Sequence, residues 1–133
     1  MKNVLLIRPI CNTKKETLDI PLTLLYLSSG ITLWSKDIRS AILDLSFEYC
    51  RQKKTPSALA KFQEKCIEKE FRSRGPFNIV GISGLCDNFH LTIQLSEFIK
   101  NKYHVPVVIG GPHATFIANE VLESFEFIDY VIR

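Results

Sequence analysis

The chain reads as an α/β domain: a parallel five-stranded sheet with helices on both faces, in a three-layer doubly wound arrangement. Three observations predict this class. Five short, continuous apolar runs lack the polar alternation of half-solvated strands, so each reads as a strand buried on both sides. Between them lie segments whose apolar residues recur at intervals of three and four, as on one face of a helix. The connections are too long for hairpins, which makes successive strands parallel. With 133 residues, 46% of them hydrophobic, the chain suffices for one such domain over 1–133 and is too short for two.

The first strand is Val4-Leu5-Leu6-Ile7, closed by Arg8-Pro9. A helix follows, with Leu22, Leu25, Tyr26 and Ser29 on one face and Trp34 at its end as a core or helix-packing residue. Arg39 to Leu45 is the second strand, centred on Ala41, Ile42 and Leu43. Thr55-Pro56 then reads as an N-cap followed by proline at the first helical position, opening a helix with Leu59, Phe62 and Cys66 inward. Asn78 to Ser83 forms the third strand, and Asp87 or Asn88 caps a helix carrying Leu91, Leu95, Phe98 and Ile99. Val105 to Ile109 is the fourth strand, Ile117, Val121, Leu122 and Phe125 mark one last helix, and Tyr130 to Ile132 closes the sheet.

For five strands the flavodoxin-like order 2-1-3-4-5 fits this length, and it places a ligand site outside the carboxyl ends of strands 1, 3 and 4. Those ends are Arg8 to Asn12, Ser83 to Asn88, and Gly110 to Thr115.

Bulk composition excludes more than it assigns. An excess of 17 Lys and Arg over 14 Asp and Glu gives a net charge of +3, too mild for a nucleic-acid or membrane-surface protein. Ser46 to Phe77 is rich in Lys and Arg, but Glu64, Glu68 and Glu70 dilute it to a solvated helix face. Cys11, Cys50, Cys66 and Cys86 form no paired motif, the apolar start is too short for a signal peptide, and Ile20 to Trp34 falls short of a bilayer span. A cytoplasmic protein with reduced thiols, without nucleic-acid or membrane partners, is the expectation.

The strand 3 exit reads Val80-Gly81-Ile82-Ser83-Gly84-Leu85, and the strand 4 exit reads Val107-Val108-Ile109-Gly110-Gly111-Pro112-His113-Ala114-Thr115. Two glycines at a strand end let a bulky ligand lie against the backbone. Together the loops resemble the cobalamin-binding domains, in which Ser-x-Leu and Gly-Gly line a channel for the cofactor's nucleotide tail. The longer stretch resembles more narrowly the N-terminal cobalamin-binding domain of cobalamin-dependent radical S-adenosylmethionine enzymes. Pro21-Leu22 with Leu25-Tyr26-Leu27, and Ile42-Leu43-Asp44, agree with that family's first helix and second strand.

The resemblance implies cobalamin binding by Ser83, Gly84, Leu85, Gly110, Gly111, Pro112, His113 and Thr115, with Arg8 and Pro9 from the strand 1 exit. The Ser83 hydroxyl would hydrogen-bond the tail, Gly110 and Gly111 would admit the flat benzimidazole, Leu85 would pack against the tail or the underside of the corrin, and N–H groups entering the last helix would meet the phosphate. The methionine-synthase type of domain supplies an axial histidine from an Asp-x-His-x-x-Gly loop after strand 1. Here the loop reads Arg8-Pro9-Ile10-Cys11-Asn12-Thr13, so the cofactor is expected base-off. His113 with Cys11 and Cys86 is a weak candidate for a soft metal site, and no metal ligand is assigned. His113 is expected to hydrogen-bond a phosphate or a carbonyl. His90 lies near the site, while His104 is at the opposite end of the sheet and structural.

No Cys-x-x-x-Cys-x-x-Cys is present, so the iron-sulfur cluster and S-adenosylmethionine would belong to a catalytic domain beyond Arg133. The expectation is a truncated N-terminal module of a methyltransferase-type radical enzyme, not catalytic alone. The alternative is a flavodoxin-like or nucleotide-binding oxidoreductase. Against it, strand 1 lacks a Ser/Thr and Gly-rich phosphate loop and GxGxxG is absent. A signalling receiver would need acidic residues where Arg8 and Ser83 stand.

Overall fold

The computed structural model describes residues 1–11, 19–52 and 58–133. Its five strands, β1 (Lys2–Arg8), β2 (Ile38–Asp44), β3 (Ile79–Ser83), β4 (Val107–Gly110) and β5 (Tyr130–Val131), form one sheet of order β2-β1-β3-β4-β5. Every pairing is parallel. The doubly wound flavodoxin-like arrangement expected from the pattern is therefore the fold. No helix among the described residues is long and apolar enough to cross a membrane.

The apolar runs end up buried on both sides, as their lack of alternation requires: Leu5, Leu6 and Ile7 are all buried in β1. Leu5, Ile7, Val80, Ile82 and Val107 face α3 (Leu59–Arg74) and α4 (Phe89–Tyr103), which bury Phe62, Ile67, Leu91, Leu95 and Ile99 against them. A smaller cluster gathers Ile109, Ala114, Val121 and Ile128. On the opposite face α1 (Leu22–Trp34) lies over β1 and β2, its Ser28 hydroxyl 2.7 Å from that of Ser40.

Three elements differ from expectation. The expected inward face of α1 was Leu22, Leu25, Tyr26 and Ser29, yet Leu24 is its buried residue, with Ser28 and Ile31 half-buried beside it. Trp34 is 92% exposed and so is not a core residue. Apolar residues occur all around this helix, so periodicity had no polar face to read against.

Leu45 opens α2 (Leu45–Arg51) instead of ending the strand, because the Asp44 carboxylate accepts from the Phe47 N–H at 3.1 Å and caps the helix. The long second crossover thus divides into α2 and α3. Thr55 and Pro56 lie outside the described residues, as do Lys53 and Lys54, and Ala58 occupies the N-cap position of α3.

The last helix is two pieces, α5 (Pro112–Phe116) and α6 (Ala118–Ser124), separated by Ile117 at φ −116°, ψ 30°. Beyond α6, the Asp129 carboxylate accepts from Val107 N–H at 2.7 Å and from Lys100 Nζ at 2.7 and 2.8 Å. It fixes the approach to the short β5 between the start of β4 and the end of α4. Burial alone would raise the carboxyl pKa; the Lys100 and Val107 hydrogen bonds outweigh that and lower it. His104 ends α4 in the left-handed conformation, φ 54°.

Candidate functional site at the carboxyl ends of the central strands

Parallel pairing places Ser83 opposite Gly110, so the β3 and β4 exits are immediate neighbours, as the topology demands. The Gly84 N–H continues the ladder to the Gly110 carbonyl at 3.0 Å. Three glycines meet here for three different reasons. Gly111 has φ 110° and ψ 170°, a region essentially confined to glycine, and an added Cβ would stand 2.5 Å from the Gly84 carbonyl oxygen. Gly84 packs under α4, where a Cβ would press on Thr92 at 3.1 and 3.2 Å. At Gly110 a Cβ would meet nothing nearer than Ile132, at 3.9 Å. Gly111 and Gly84 are thus needed by the protein itself, whereas Gly110 would accept a methyl group in ordinary contact with Ile132.

The β4 exit leads into only five helical residues. Thr115 turns back onto that turn: its N–H and its hydroxyl both donate to the Gly111 carbonyl, at 3.0 and 2.9 Å. Pro112 is exposed at the first helical position. The half-buried His113 packs its ring edge-on against Phe89, with centroids 4.5 Å apart. Leu85 is 40% exposed at the β3 exit and Ser83 is half-buried. Among the described residues no three His, Cys, Asp or Glu side chains gather as a metal site, so Cys11, Cys86 and His113 do not form one.

The β1 exit is held by polar contacts that the sequence pattern did not single out. Arg8, facing Asp44 in register across β1 and β2, donates Nε to one carboxylate oxygen at 2.9 Å and a terminal nitrogen to the other at 2.6 Å. The same nitrogen also reaches the Asp19 carbonyl at 2.9 Å. The guanidinium is committed to this fork, and a second task falls to Asp44 as the cap of α2.

Pro9 is buried, and its carbonyl accepts from the Ser46 hydroxyl at 3.2 Å and the Cys11 thiol at 3.3 Å. Ser46 in turn accepts from the Cys11 N–H at 2.9 Å. Ile10 N–H donates to Gln63 Oε1 at 3.0 Å, while Gln63 Nε2 has no partner among the described residues. Burial pushes the Cys11 thiol pKa up, only partly offset by the Ser46 hydrogen bond. Asn12 and Thr13 lie outside the described residues.

Asn88 joins the β1 and β3 exits. It is 1% exposed; its Oδ1 accepts from Leu85 N–H at 2.8 Å and its Nδ2 donates to Cys11 Sγ at 2.9 Å. The expected capping residue thus sits at the N-cap position of α4, but its side chain is spent backwards on the β3 exit and sideways on Cys11. His90 is exposed on the first turn of the same helix. An asparagine ahead of a helix signals a cap in sequence; Gln63 carries no such signal, being a polar residue beside Phe62 that is buried along with the apolar face of α3.

Chemically, the β3 and β4 exits present a backbone ledge, one half-buried hydroxyl and an exposed leucine. Such a ledge suits contact with a flat, hydrogen-bonding group more than acid-base chemistry. Comparisons with protein-family models and with curated proteins find no match for this chain.

Proposed function

We propose that this chain is a cobalamin-binding module: it holds the cofactor base-off, with no axial histidine from the β1 exit. Its catalytic partner would be a radical S-adenosylmethionine domain of methyltransferase type carrying its own iron-sulfur cluster. The observation that carries the reading is the paired exit of Gly110 and Ser83, in register at the point where sheets of this order take ligands, with no side chain on Gly110. The donor set fits a nucleotide tail. Ser83 would supply a hydrogen bond, Gly110 the clearance for a planar base, and Leu85 an apolar contact, while Gly84, Gly111 and Asn88 hold those three in place.

Arg8, Pro9 and Thr115 act on this reading through the loops they brace, since their polar groups already bond within the protein. Pro112 and His113 form the rim. Bound cobalamin would supply a carrier of methyl groups or electrons to a neighbouring domain; the residues of this chain bind and orient it.

The test is retention of hydroxocobalamin after desalting, read from the visible spectrum of the protein fraction. Corrin absorbance with a base-off spectrum is expected, and Gly110→Ala should weaken retention about tenfold or more while leaving the circular dichroism unchanged. No retained corrin under aerobic or reducing conditions would refute the proposal, and retained flavin fluorescence would favour an oxidoreductase module. Gly111 is unsuitable for this test, because its substitution disturbs the fold directly.

A further inference from the structure

The described residues from Ile20 to Ser35 include no charged side chain, although α1 is a surface helix. Only the Leu24, Ser28 and Ile31 side of α1 turns toward the sheet, and the opposite side is apolar too. Leu22, Tyr26, Leu33 and Trp34 are 59, 77, 84 and 92% exposed, with Leu25 and Leu27 about half exposed on the flanks. Leu22, Tyr26 and Leu33 follow one another at intervals of four and seven and so form a stripe pointing away from the sheet. Monomeric proteins rarely leave a continuous apolar patch beyond roughly 600 Å² exposed, and these six side chains present on the order of 900 Å².

We propose that this face is a self-association surface on which the α1 of a second copy packs antiparallel across a two-fold axis. Three features commit the occupant to a second copy. The exposed area matches the ~800 Å² that each partner contributes to a standard interface, and homodimer interfaces are the more apolar kind. The stripe is large at both ends and small in the middle, where Ser29 and Gly30 lie and a Cβ on Gly30 would meet nothing within 4 Å. Two copies crossing at that point approach closely, with the bulky ends seated in each other's gaps. The helix is preceded by exposed Asp19 and followed by the exposed pair Lys36-Asp37. Antiparallel pairing brings Asp19 of each copy within reach of Lys36 of the other and sets the two helix dipoles head to tail, whereas a parallel pair would align them unfavourably.

With its crossing near Ser29, the pairing sets Leu33 of one copy against Leu25 and Tyr26 of the other. Trp34, the one tryptophan in the chain, lies at the edge of the buried zone and reports on it. The test is sedimentation velocity of the full chain from micromolar to submillimolar concentration, with acrylamide quenching of Trp34 measured in parallel. A concentration-dependent dimer is expected, with quenching that falls as the dimer forms.

Leu33→Glu and Tyr26→Lys, both at exposed positions that leave the fold intact by circular dichroism, should each raise the dissociation constant tenfold or more. The double variant Tyr26→Lys/Leu33→Glu should recover most of that loss, because each new glutamate then faces a lysine of the other copy. A chain that stays monomeric throughout overturns the proposal, as does a dimer indifferent to Leu33→Glu. Shielding of Trp34 by phospholipid vesicles while the protein remains monomeric would do so too, and would assign the face to a membrane surface instead.

Discussion

Replacing Gly111 by alanine should cost far more stability than the same change one residue earlier. At Gly111 two penalties add. An alanine must adopt φ 110°, ψ 170°, which costs a non-glycine residue about 1–3 kcal/mol. Its Cβ would also stand 2.5 Å from the Gly84 carbonyl oxygen, so β3 and β4 must part locally, at about 1–3 kcal/mol of overpacking. The sum is about 2–6 kcal/mol, a loss of roughly 7–20 °C in Tm for a domain of this size. At Gly110 the new methyl meets Ile132 at 3.9 Å, ordinary contact in an extended strand, and the entropy that glycine wastes is recovered. Gly110→Ala should therefore lie within about 1 kcal/mol of the wild type. Urea unfolding followed by far-UV circular dichroism measures both. Equal stabilities for the two variants, or a Gly111→Ala loss under ~1 kcal/mol, would refute the division of labour between the two glycines.

Asn88→Ala removes the acceptor of Leu85 N–H and the donor to Cys11 from a position 1% exposed, and should destabilise the protein by about 1–3 kcal/mol in the same assay. Asn88→Asp keeps the acceptor but must bury a carboxyl group, so its loss should be smaller at acid pH, where that group is neutral, than at neutral pH. The folded-state pKa of Asp129 lies below its ordinary value, so its ionisation stabilises the fold above the unfolded carboxyl pKa of ~3.9. That contribution is lost as pH falls through the lower folded value. The stability gap between wild type and Asp129→Asn should be steady from neutral pH to about pH 5 and shrink below pH ~4. A gap that widens on acidification would contradict the Lys100 pairing.

The sequence by itself determined the sheet and the placement of the candidate site. Runs such as Val4-Leu5-Leu6-Ile7 have no polar alternation to satisfy a solvated face, so they must be sandwiched. Crossovers of this length force parallel pairing, and parallel pairing sets the Ser83 and Gly110 exits side by side. It also marked the glycines, because a Gly-Gly step at a strand end is visible without coordinates.

What each glycine does was decided only by tertiary structure. The close partner of Gly111 is a carbonyl 27 residues away in the chain, and no local pattern encodes whether a missing side chain makes room for a neighbour or for a ligand. The inward face of α1 was likewise settled by contact with Ser40, since a helix apolar on every side has no single hydrophobic stripe. The Cys11–Asn88 and Arg8–Asp44 contacts belong to the same class. They join strand exits that are 77 and 36 residues apart in the chain and adjacent in the sheet, so they exist only once the strands are ordered.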